Sequence, residues 1–255
     1  MLKIIICILA GLGAGLGTGF AGMSAAAVIA PMLITFLDIP AYEAVGIALA
    51  SDVLASGASA YTYAKNKNID IKNGLVMMIS VLAFTFIGSL IGSLVPDGTM
   101  GGFSTFMTFI LGIKFIVKPV MAEKNAIDTK SPARRVVYAI LSGSIVGFIC
   151  GFIGAGGGMM MLVVLTSVLG YELKCAVGTS VFIMSFTALT GAASHFVIGG
   201  MPDITSLIVC VVSTLVFARL ASILANKASP KVLNRTVGAV LAALGLCMII
   251  VNIVK

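Results

Sequence analysis

Residues 15–70 read GLGTGFAGMSAAAVIAPMLITFLDIPAYEAVGIALASDVLASGASAYTYAKNKNID, and residues 147–203 read GFICGFIGAGGGMMMLVVLTSVLGYELKCAVGTSVFIMSFTALTGAASHFVIGGMPD. The second stretch repeats the pattern of the first. Gly15, Phe20 and Gly22 return as Gly147, Phe152 and Gly154, and Ala44-Val45-Gly46 returns as Ala176-Val177-Gly178, all 132 residues later. One or two residues of drift then set Ser56-Gly57-Ala58 against Thr190-Gly191-Ala192, and Asp70 against Asp203. A duplicated apolar unit with glycine-rich breaks at matching places is the sequence trace of a secondary transporter, whose site is expected where the two halves meet.

Composition names the solvent. With 60% apolar and 10% charged residues and a mean hydropathy of +1.17, the chain has too few polar groups to cover a water-facing surface of this size. The 29 glycines fit that reading, since glycine lets transmembrane helices approach closely. Neither the 14 methionines nor the five cysteines stand at metal-ligand spacing, so both read as packing groups and no cofactor is expected. The basic start could pass for a signal peptide, but its glycine-rich segment returns at Gly147 and so belongs to the fold. A net charge of +7 raises nucleic acid as a partner; the basic residues, however, occupy short loops between apolar runs instead of one face, and no nucleic-acid partner is expected.

Ten apolar stretches follow, five per half: residues 3–22, 23–37, 41–64, 74–95 and 102–118, then 136–156, 157–170, 174–198, 204–226 and 236–254. A helical crossing needs roughly 20 apolar residues, so the short second stretch of each set is expected to be a broken or re-entrant element. The polar segment 120–135 reads as a linker, which divides the chain into a first repeat over 1–119 and a second over 136–255. If each short stretch returns to the side it came from, fourteen of the sixteen Lys and Arg residues share one side, leaving only Lys3 and Lys255. If each pair makes one crossing instead, the split is eleven to five. The positive-inside rule selects the first arrangement, with a cytoplasmic linker and both termini extracytoplasmic. Five elements per half is odd, so the repeats are expected to be inverted. The fold class is therefore an all-α polytopic membrane protein of two inverted repeats of five helical elements.

The glycine-rich opening of each half, the Ala-Val-Gly-Thr-Ser run at 176–180, the Thr-Gly-Ala run followed by His195 and Asp203, and the Ala-Arg-Leu-Ala run at 218–221 resemble the TauE/SafE sulfite exporter family. The resemblance covers nearly the whole chain. It implies a carrier of small sulfur oxyanions or organosulfonates in the cytoplasmic membrane, without fixing the substrate. One departure stands out: the second half has Gly178-Thr179-Ser180 where the first has Gly46-Ile47-Ala48, with Ser51-Asp52 following, so the half-sites are not chemically equivalent.

An anion site also follows from the residues. A dehydrated oxyanion needs several N–H or O–H donors, and broken helices expose them at half-helix N-termini. The segments Gly19 to Ser24, including Gly22, and Gly154 to Gly158, including Gly156 and Gly157, are candidate turns of that kind. Hydroxyls from Ser51, Ser56, Ser59, Thr179, Ser180, Thr187 and Thr190 are candidates to complete the shell. The competing explanation for each is small-residue helix packing.

Two ionisable groups are candidates for proton coupling. Asp52 lies deep in an apolar stretch, where a carboxylate is costly unless paired, hydrated or protonated. His195, the sole histidine, sits near the extracytoplasmic end of its stretch. Arg219 is placed to snorkel to the cytoplasmic interface as readily as to meet substrate.

An intramembrane enzyme would need a nucleophile or metal set such as HExxH, which is lacking, so catalysis is not expected. A channel or uncoupled facilitator of the same fold is the rival reading. The expected partners are a small inorganic or organic sulfur anion and the lipid bilayer, with a homodimer left open.

Overall fold

The computed structural model of the chain describes residues 1–96, 132–153 and 157–227, with scattered positions in 99–117 and 235–250. Among the described residues the regular structure is entirely helical. Helix α1 runs Leu2–Ala21, α2 Ala26–Leu37, α3 Ala41–Lys65 and α4 Ile71–Gly92. After the linker come α5 over Pro132–Ile153, α6 over Gly157–Val163 continued by a π-helical turn over Val164–Val168, α7 over Leu173–Gly199 and α8 over Ile204–Ala225. Helix α5 is described from Pro132, inside the stretch read as linker. Most of the fifth stretch of each half, the remainder of the linker and residues 154–156, Gly154 and Gly156 among them, lie outside the described residues.

Local chemistry sets the ends. Gly22 adopts a left-handed conformation (φ 63°), and the N–H groups of Gly22 and Met23 close on the carbonyls of Thr18 and Gly17 at 3.0 and 3.3 Å. That cap stops α1 and frees the chain to turn. Asp38 and Gly170 end the short elements with positive φ, 52° and 75°, and they stand at the 132-residue offset of the repeat. Asp70 and Asp203, paired in the sequence, do the same job: each side chain accepts from a backbone N–H three residues on, Asn73 at 3.1 Å and Ser206 at 2.7 Å, and so caps α4 and α8.

Among the described residues five helices, α1, α3, α4, α7 and α8, are long and apolar enough to cross a membrane. Helix α2, with 12 residues, reaches only roughly 18 Å at 1.5 Å per residue. The side-chain distribution is that of a lipid-solvated bundle. Large apolar groups such as Ile204, Ile208, Val212, Val216 and Leu220 point outward along one stripe of α8, while small and hydroxyl side chains such as Ser51, Ser56, Thr85, Ser89, Thr187 and Ser222 are buried. The molecule is a multi-pass membrane protein.

Two glycine seams hold the ends of the bundle together. Gly11, Gly15 and Gly19 of α1 lie against Ser213, Ala218 and Ala221 of α8, rising together, so the two helices run parallel. Gly143, Gly147 and Gly151 of α5 lie in the same way against Ser80, Val81 and Thr85 of α4. The glycine positions of the two seams differ by the offset of the sequence repeat. Between the seams α3 packs on α7, third element on third.

Helix α3 also defines two ends. At its start, Glu43 Oε1 accepts from the Asp203 N–H at 2.7 Å, and Asp203 pairs with Lys3 at 2.7 Å. At its finish, Asn68 donates to Asn226 at 3.0 Å, the Lys174 ammonium donates to the Asn226 carbonyl at 2.9 Å, and Tyr171 donates to Asp70 at 2.9 Å. The loops that carry Lys65, Lys67, Lys72, Lys174 and Lys227 thus share one end, and Lys3 lies at the other.

A candidate anion site where the two breaks meet

The start of α6 touches the glycine-rich break that follows α1. A methyl group added to Gly158 would stand 2.5 Å from the Ser24 nitrogen and 2.6 Å from the Gly22 oxygen, so only a residue without a side chain fits. On the other side of the first break, Gly22 abuts Ser180 of α7, whose hydroxyl donates to the carbonyls of Val177 at 2.9 Å and Gly22 at 3.4 Å. The Ser24 hydroxyl accepts from the Ala26 N–H at 3.3 Å and so caps the start of α2.

Asp52 closes this cluster. It is fully buried, on the face of α3 that also carries Ser56, Ser59 and Tyr63 at helical spacing. The Ser56 hydroxyl donates to Asp52 Oδ1 at 2.6 Å. Oδ2 is buried and closes no hydrogen bond; the groups that face the carboxyl are the Ser24 hydroxyl and the Ala25 N–H at the start of α2. From α5, the Cys150 thiol faces Asp52 as well, and its Cβ stands 2.9 Å from where a side chain on Gly157 would begin. A buried carboxyl group with one oxygen unsatisfied is costly, which keeps Asp52 a candidate functional position.

Gly22, Ser24, Asp52, Ser56, Gly157, Gly158 and Ser180 therefore converge. The remaining candidates stand elsewhere. Gly19 is inside α1, not in the turn; it serves the α8 seam, and its carbonyl accepts from Tyr63 at 3.1 Å. Thr179 accepts from the Asp70 N–H at 3.0 Å at the finish of α3. The hydroxyls of Ser51, Thr187 and Thr190 donate to carbonyls one turn back in their own helices, at 2.9, 2.9 and 3.1 Å. Cys150 was not singled out from the sequence, where it reads as a packing thiol; its place one helical turn before the second break was the available signal. Among the described residues no group of three His, Cys, Asp or Glu side chains comes together to hold a metal ion.

His195 lies toward the other end of α7. Its ring is 2% exposed and stacks on Tyr42 with centroids 4.0 Å apart. Nδ1 stands 3.0 Å from the Tyr42 carbonyl and Nε2 3.1 Å from the Gly151 carbonyl. Both neighbours are acceptors. A neutral imidazole donates to one of them; the imidazolium donates to both.

A bundle of crossing helices whose short second elements meet beside buried polar groups is the build of a class, the membrane transport proteins. The profile of the sulfite exporter TauE/SafE family matches residues 7–248, and the chain belongs to that family. Its relatives include the probable membrane transporter protein YunE of Bacillus subtilis, 28% identical over 78% of this chain and 80% of that protein. Another is the probable membrane transporter protein MJ0441 of Methanocaldococcus jannaschii, 27% identical over 98% of this chain and 97% of its own.

Proposed function

We propose that the protein is a proton-coupled secondary transporter that moves a small sulfur-containing anion, of the sulfite, thiosulfate or organosulfonate type, across the cytoplasmic membrane. The observation that carries this reading is the seating of Gly158 against Gly22 and Ser24 with Asp52 alongside, where two broken elements meet around a buried carboxylate. Bare backbone and the start of α2 supply donors for the anion, the Ser56 and Ser180 hydroxyls stand by, and Asp52 exchanges the proton. His195, between Tyr42 and Gly151, is a second proton-sensitive contact between the halves.

The repeats are read as inverted. Helix α1 runs parallel to α8 from the Lys3 end, while α5 runs parallel to α4 from the Asp70 end, so equivalent helices travel in opposite directions. The lysine-rich end is assigned to the cytoplasm and the Lys3 end to the outside. Reconstituted vesicles test the function: a pH gradient should drive sulfite, thiosulfate or a sulfonate uphill. Purely downhill flux would make the protein a channel or facilitator.

A further inference from the structure

The start of α2 already faces a carboxyl group, and it belongs to the protein. Asp52 reaches across from α3 so that the Ser24 hydroxyl and the Ala25 N–H face its carboxyl. Oδ1 is held by Ser56 at 2.6 Å, and Oδ2, buried and without a hydrogen bond, is the atom left to take a donor. The titratable neighbour among the described residues is the Cys150 thiol on α5; α1, α7 and α8, also packed on α3, set no charged side chain against it. Among the described residues no cation stands against the carboxyl group, which leaves the partial positive charge at the start of α2 to attract its ionised form.

We propose that the Asp52 carboxylate is an internal occupant of the anion seat at the start of α2, competing with the transported anion for the same donors. This rests on the transporter reading above and adds how the seat is vacated. Ionised, Asp52 fills the seat, and a second negative charge beside it is repelled. Protonated, it loses its claim on the donors and an external anion takes them. Proton and anion then bind together, each strengthening the other by the same factor. An empty carrier with its seat filled from within has no bare donors to strand in the membrane, so it can reorient without cargo. A seat shaped for a carboxylate also takes a small carboxylate from solution once the internal one is removed.

Binding of methanesulfonate, ionised throughout the range, to the purified full chain at pH 5 to 9 tests the competition. Affinity should fall with rising pH, by up to about tenfold per unit where Asp52 ionises. Asp52→Asn should bind more tightly than the parent at high pH, with a flat pH profile. In vesicles, Asp52→Gly should keep anion exchange and lose net flux, and formate should restore net flux. A flat profile in the parent overturns the competition whatever the variants do. Unchanged affinity and slope in a folded Asp52→Asn overturns it too, while parental uphill transport would leave the transporter reading standing. If the parent neither binds nor moves sulfite, thiosulfate or methanesulfonate, both readings fall.

Discussion

Gly158 rests on the backbone of Ser24, from the opposite half of the chain, with no room for even a methyl group between them. The contact joins two breaks that are far apart in sequence and equivalent in the repeat. Close approach of backbone to backbone is the one contact here that glycine alone permits.

Gly158→Ala should therefore be among the most damaging small substitutions in the protein. The added carbon would meet backbone atoms, which cannot swing aside, so a destabilisation of about 1–3 kcal/mol is expected together with loss of transport. Gly157→Ala meets the Cys150 side chain at 2.9 Å and should be milder. Thermal unfolding in detergent, read beside vesicle flux, checks the order; equal tolerance of both would remove the backbone contact from the site.

Glycines on the seams should behave unlike glycines on open faces. Gly15→Val drives a branched side chain into the Ala218 backbone and should separate α1 from α8 at a similar cost. Gly57 has nothing within 4 Å of its would-be side chain, so Gly57→Ala should be neutral or stabilise by up to about 1 kcal/mol. A drop in melting temperature for Gly57→Ala would contradict this.

The two ends of the bundle predict accessibility. In a cysteine-free background, an impermeant thiol reagent should label Met201→Cys, exposed beyond α7, in intact cells. Lys67→Cys should react only after the membrane is permeabilised. The reverse pattern would invert the assigned orientation.

Asp203 gives a pH dependence outside the membrane-spanning segments. The Lys3 ammonium, then the Ser206 N–H, hold its carboxyl down to about 2. A lowered value means that the cap contributes fully above the ordinary carboxylate range and is lost as pH falls toward 2. Physiological acidification should leave it intact. Asp203→Ala should cost about 1 kcal/mol at neutral pH through the lost cap, with little from the exposed ion pair. Unfolding curves of parent and variant should converge only in strong acid.

His195→Phe keeps a ring to stack on Tyr42 but removes the nitrogens that face the Tyr42 and Gly151 carbonyls. A neutral ring donates to one of the two, and Gly151 still accepts from the Ser89 hydroxyl at 3.3 Å, so the loss should cost about 1–3 kcal/mol at most. If His195 takes part in coupling, the pH–rate profile of the folded variant will also move; an unmoved profile confines it to structure.

The large features of the fold could be read from the chain because they follow local rules. Apolar run length separated the crossing helices from the short α2, and the paired Asp70 and Asp203 stood where caps are needed. The site was legible only in part. Gly19 and Gly22 lie three residues apart and look alike in sequence, yet one lines a helix seam and the other turns the chain, a distinction decided by which helix packs against α1. Thr179 and Ser180 are neighbours on α7, and the helical rotation between them sends one to Asp70 and the other to Gly22. Nothing in a linear pattern reports which face will meet which partner.

The parallel seam between α1 and α8 sets an order of biogenesis. Helix α1 is made well before α8, so the surface that covers Gly11, Gly15 and Gly19 is absent until residues 204–225 have been translated. Through that interval its bare glycine stripe must be screened by lipid or by an insertion factor. The seam between α4 and α5 joins consecutive helices and can close while the chain is still growing. A chain truncated before α8 leaves the glycine stripe of α1 uncovered, although α1 still packs on α2 and α3.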